Sequence, residues 1–123
     1  MRRFTSLAVA SIALTAAFTA APTATAEPKT VAYPSCGGGQ FCIYSDWNGT
    51  GEVCASSARS VSNTADYCGF IQRGQTVKSV WNFSGHRKQY YTQPNHQSRV
   101  GSTLNNQGGN LQGGYQIRSF KPQ

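Results

Sequence analysis

After about residue 36 the chain alternates apolar and polar positions in short runs broken by turn-formers, a pattern of strands and not of helices. Period-two stretches predict strands over residues 40–44, 51–55, 76–83, 88–92 and 115–120. The clusters DWNGTG, NFSGH and NNQGGNLQGG lie between or beside them and predict turns. GGNLQGG is expected to be a flexible turn rather than a phosphate cradle, because no helix follows to supply aligned N–H groups. No window of helical length carries an apolar face at 3.6-residue spacing, although residues 58–67 have room for one irregular turn. The expected fold class is therefore all-β.

Two strands share a local pattern. Val77-Lys78-Ser79-Val80 and Ile117-Arg118-Ser119-Phe120 both read apolar, basic, serine, apolar, and each closes one half of the chain. Alternation predicts Val77 and Ser79 on one face of their strand, with Lys78 and Val80 on the other.

The start of the sequence changes where such a domain would work. MRR is followed by an alanine-rich apolar run from Phe4 to about Ala21, then by Ala24-Thr25-Ala26, which predicts a secretory signal peptide over residues 1–26 cut before Glu27. The run is threaded with Ser and Thr and is barely long enough to span a bilayer, which argues against an anchor. Pro28 and Pro34 bracket a stretch with little to bury, so residues 27–35 are expected to form a flexible leader and residues 36–123 a single small domain. A secreted, extracellular monomer with no membrane attachment after cleavage is expected.

Loss of Arg2 and Arg3 with that peptide leaves a net charge of about +5, which favours anionic partners such as cell-wall polymers without selecting one. The basic residues are scattered, with no dense stripe that would suit a nucleic acid. Cys36, Cys42, Cys54 and Cys68 should all be oxidised outside the cytoplasm. Three connectivities are open. The shortest loops favour Cys36 with Cys42 and Cys54 with Cys68. The absence of a C-x-x-C pair and the distance to both histidines argue against zinc.

Tyr44, Gly51 and the later Ser79 resemble the Greek-key signature of the βγ-crystallin fold. In that fold an aromatic opens a folded-over hairpin, a glycine takes a backbone conformation closed to other residues, and a serine pins the hairpin; Ser119 is the matching serine of the second half. Beyond the fold, CGGGQFCIYSDWNGTG followed by SVWNFSG resembles a family of secreted actinobacterial peptidase inhibitors, typified by a metalloproteinase inhibitor of crystallin-like fold. The resemblance covers most of residues 36–85 and fades afterwards, where Tyr91 is followed by Ser98 in place of Gly. It implies a βγ-crystallin-like Greek-key β-sandwich, stapled by disulfides, that inhibits an extracellular protease. The characterised inhibitory loop of that family carries its own disulfide in the second half, and this chain has no cysteine after Cys68. A substitute is expected either at YTQPNHQSR, with Tyr91, Pro94, Asn95, His96 and Arg99 as candidate residues, or within the Cys54–Cys68 loop. Rigid exposed loops suit inhibition because preorganisation lowers the entropic cost of binding.

The calcium element of many crystallin domains would fall at residues 74–79 and 114–119, where no carboxylate stands and a cation fills the fifth position, so no calcium site and no other cofactor is expected. His86 and His96 could act as bases beside Glu52, but no nucleophile motif accompanies them, and an enzyme is not expected. The alternative is an antifungal, cell-wall or chitin-binding protein of the same fold, using Trp47 and Tyr90 as surface stacking residues. Trp81 is expected to be at least partly buried.

Overall fold

The computed structural model describes residues 33–123. Seven strands form two antiparallel sheets: β1 (Phe41–Tyr44), β2 (Val53–Ser56), β3 (Val77–Asn82), β4 (Lys88–Gln93), β5 (Gln97–Thr103), β6 (Gln107–Tyr115) and β7 (Ser119–Pro122). The first sheet has the order β2-β1-β3-β6 and the second β5-β4-β7. Strand β6 of the second half thus lies in the sheet of the first. In return, Val61 of the first half pairs with Phe120 at the open edge of the second sheet. Each half completes the other's sheet, so neither can be removed without exposing an edge. This is the disulfide-stapled, all-β sandwich expected above.

Between the sheets lies a core of Phe41, Ile43, Phe70, Ile71, Val77, Val80, Tyr90, Ile117 and Phe120. Phe41 and Ile43 face it by strand alternation, which sends Cys42 and Tyr44 to the opposite face. That outer face is not left to solvent. Tyr33, Cys36 and Trp81 cover it, and Tyr33 stands edge-on to Tyr44 at 5.3 Å between ring centroids. The leader expected over residues 27–35 is accordingly not free throughout: Tyr33 is 6% exposed, and the folded unit extends at least that far. Two lone prolines were weak evidence of fraying beside an aromatic with a cluster to join.

Two further expectations need correction. The alternation assigned to β3 fails because the pairing with β6 shifts register between Val77 and Ser79, and Val77 and Val80 both enter the core. The segment read as the turn GGNLQGG is the middle of the nine-residue strand β6. One of its glycines serves close packing: a Cβ on Gly108 would lie 2.3 Å from the Val80 carbonyl oxygen and 2.4 Å from Trp81 Cε3. Strand β5 has no separate expectation because QSRVGST is polar and sits at a sheet edge. Residues 58–67 hold one short 3-10 turn, Thr64–Asp66, and a single-turn helix follows at Gly69–Gln72 (α1).

Candidate functional site

Two fold-backs with the same construction sit at opposite ends of the chain's internal repeat. In the first, Ser79 Oγ donates to the Asp46 carbonyl at 2.6 Å and accepts from Gly49 N–H at 2.9 Å. In the second, Ser119 Oγ donates to the Gln93 carbonyl at 2.6 Å and accepts from His96 N–H at 3.0 Å. Asn48 and Asn95 hold matching left-handed conformations, with φ of 57° and 61°. Gly51 has φ 76°, and a Cβ there would meet Ser45 Oγ at 2.5 Å. Ser98 stands in the corresponding position at φ 63° and carries the strain that Gly51 avoids. Ser98→Gly is therefore expected to raise stability by about 0.5–1 kcal/mol, read as a higher melting temperature, despite the extra freedom it gives the unfolded chain.

This geometry bears directly on the loop YTQPNHQSR. Tyr91 is 6% exposed and packs edge-on to His96 at 5.5 Å, so it is not a contact residue at the surface. Pro94 starts the 3-10 turn Pro94–His96, Asn95 N–H donates to the Ser62 carbonyl at 2.8 Å, and His96 Nε2 lies 3.1 Å from the Phe120 carbonyl. Arg99 is exposed and donates to Gln123 Oε1 at 3.1 Å. With positive φ at Asn95, His96 and Ser98, the segment is not extended in this structure. Its bonds do for the second half what residues 44–51 do for the first.

The Cys54–Cys68 connection has a different character. The structure joins Cys36 to Cys42 and Cys54 to Cys68. Within the longer loop, Thr64 is fully buried, with Oγ1 donating to the Ile117 carbonyl at 2.6 Å and its N–H to the Arg118 carbonyl at 2.8 Å. Val61 exchanges two backbone bonds with Phe120, at 2.9 and 3.0 Å. Between β2 and this anchor, Ser57, Ala58, Arg59 and Ser60 form an exposed run without regular structure. They are nonetheless held from below. Ala58 N–H donates to Ser56 Oγ at 3.1 Å, and Lys88 Nζ donates to the Arg59 carbonyl.

Lys88 is an unusual support, since it is 1% exposed and faces inward with Tyr90, two residues on along β4. No carboxylate pairs with it among the described residues; the only ion pair there joins Arg73 to Glu52. Its ammonium lies 5.7 Å from the Phe120 ring centroid, a cation–π contact that offsets part of the desolvation. Burial, and then the charge of Arg59, hold its pKa below the ordinary lysine value. The signal was present in sequence as the Lys88-Gln89-Tyr90 alternation, but a lysine on a core face is improbable from residue type alone.

Residues 29–103 match the model of peptidase inhibitor family I36, more than half of the chain. The chain belongs to that family. A search of curated proteins found no match. The matched span takes in both loops and ends at the last residue of β5, so β6 and β7, which complete the two sheets of this I36 chain, lie outside it. Membership implies a protease partner and points away from an enzyme. Glu52 is engaged with Arg73, His86 is exposed in a turn, and His96 serves the second fold-back, so no pair of them is brought together in a hydrogen bond. Among the described residues no group of three or more His, Cys, Asp or Glu side chains could hold a metal ion.

The stacking surface expected from Trp47 and Tyr90 does not form. Tyr90 is 3% exposed and stacks on Phe41 in the core, because it shares the inward face of β4. Trp47 is 43% exposed, and Lys78 Nζ sits 5.7 Å from its ring centroid. A cleft of about 370 Å³ opens between β5 and β6, lined by residues including Arg87, Tyr90, Leu104 and Leu111. Its one charged side chain, Arg87, is spent on Ser102 Oγ at 2.9 Å.

Proposed function

We propose that this I36 chain is an exported inhibitor of extracellular endopeptidases that acts by occupying the protease cleft with a preformed loop. The observation that carries the reading is the Cys54–Cys68 connection in a member of an inhibitor family: four exposed residues held by a disulfide, a side-chain clamp and a β-bridge. A loop ordered before binding loses little entropy on association, and a cut within it leaves both ends in place. Paired cysteines fit an oxidising compartment, and no helix among the described residues is long and apolar enough to cross a membrane. The signal peptide expected over residues 1–26 lies outside the described residues.

The polysaccharide-binding alternative loses its platform with the burial of Tyr90. The test is a titration of the purified, oxidised protein against a subtilisin-type serine protease and a thermolysin-type metalloprotease. Near-stoichiometric inhibition of either is expected. A folded protein that leaves both fully active at micromolar excess defeats the proposal for these protease classes.

A further inference from the structure

The direction of the backbone in the exposed run selects one peptide bond. Val61 points both its N–H and its carbonyl at Phe120, so in an extended chain its neighbour Ser60 points both groups the other way, toward solvent. Among the described residues neither backbone group of Ser60 has a partner. The carbonyls on either side of it, those of Arg59 and Val61, are both taken by the protein itself, through Lys88 and Phe120. A segment read by a serine protease needs this alternation. The residue in the specificity pocket must offer its carbonyl to the oxyanion hole and its N–H to the enzyme, while the neighbouring carbonyls are free to be held by the scaffold.

We propose that Ser60–Val61 is the reactive bond, that Ser60 is the specificity residue, and that the fitting partner is a serine protease whose specificity pocket admits a small side chain. This rests on the inhibitor reading above. Arg59 cannot take that role despite its exposed side chain, because Lys88 keeps its carbonyl turned inward. A metalloprotease that reads an apolar side chain on the far side of the cut is disfavoured, since Val61 packs against the core.

The chemistry closes on itself. Attack of the protease hydroxyl on the Ser60 carbonyl breaks the bond to Val61 and forms an acyl-enzyme, with the hydroxyl proton passing to the Val61 amine. That amine stays beside Phe120, and the Cys54–Cys68 disulfide ties the two fragments together. It is placed to attack the acyl-enzyme, restore the Ser60–Val61 bond and return the proton to the protease hydroxyl. Lys88 is a positioning residue in this scheme.

Wild type and two variants test it. In wild type, mass analysis after long incubation with a subtilisin-type protease is expected to show one slow cut, between Ser60 and Val61. Ser60→Arg, an exposed substitution that leaves the core untouched, is expected to weaken inhibition of that protease at least about 100-fold and to create inhibition of trypsin. Lys88→Met removes a buried charge at similar volume and keeps the fold by circular dichroism. It is expected to let trypsin cut Arg59–Ser60 at least about tenfold faster than in wild type, because the Arg59 carbonyl is released. Inhibition by wild type with the cut elsewhere, or an unchanged profile for Ser60→Arg, overturns the assignment while leaving the inhibitor function standing. If wild type inhibits no protease tested, gain of trypsin inhibition in Ser60→Arg still supports the assignment, and its absence overturns both.

Discussion

Replacing Cys54 and Cys68 together by alanine is expected to lower stability by about 3 kcal/mol, a fall in melting temperature of more than about 10 °C for a domain of this size. The bridge closes a loop with a sequence separation of 14, against 6 for Cys36–Cys42, and chain entropy makes the longer closure the more stabilising of the two. Both sulfurs also lie in the main core, where Cys54 is 8% exposed and Cys68 fully buried. Without the bridge, Thr64, Val61 and Lys88 still hold the segment, but a cut anywhere in the loop then releases its ends. The variant is therefore expected to turn from inhibitor into substrate below its melting temperature. Thermal melts of this variant and of the matching Cys36/Cys42 double-alanine variant, followed by protease digestion of each, check both claims. Equal digestion of the two would show that the bond network alone preorganises the loop.

How much of this was legible beforehand depends on what kind of force placed each residue. The short aromatic-rich strand β1, the turn at residues 46–49 and the two disulfides follow from local rules: alternation, φ-tolerant residues and the shortest loop closures. Ser98 shows that a fold can keep a left-handed position without the glycine that would announce it. Strand β6 was missed because its reason to be a strand lies in another element, where Trp81 and the Val80 carbonyl leave room only for Gly108. The tethering of the YTQPNHQSR candidates was hidden in the same way. Pro94 and Asn95 look like an exposed rigid turn in sequence, and only the bonds to Ser62 and Ser119 show that the turn is tied into the sandwich. Lys88, 29 residues from the carbonyl that it holds, is invisible to any local pattern.

Trp81 should be the most costly single side chain to remove. It is 1% exposed on the outer face of the first sheet, with Tyr33 at 5.2 Å and Phe83 at 5.9 Å between ring centroids. Trp81→Ala leaves a large void under Tyr33, and a loss of about 3–5 kcal/mol is expected. Trp81→Phe should lose much less, for a reason specific to this site. The buried indole Nε1 has no hydrogen-bond partner among the described residues, so the phenyl ring sheds an orphaned donor along with the volume it gives up. Urea denaturation followed by circular dichroism separates the two, with an unchanged m-value expected for each. The comparison also decides whether the cover over the outer face unfolds with the sandwich. A loss below about 1 kcal/mol for Trp81→Ala would mean that Tyr33 and the Cys36–Cys42 turn can lift away while the two sheets stay closed. A full loss would make residues 33–40 part of one cooperative unit with the strands that carry the proposed inhibitory loop.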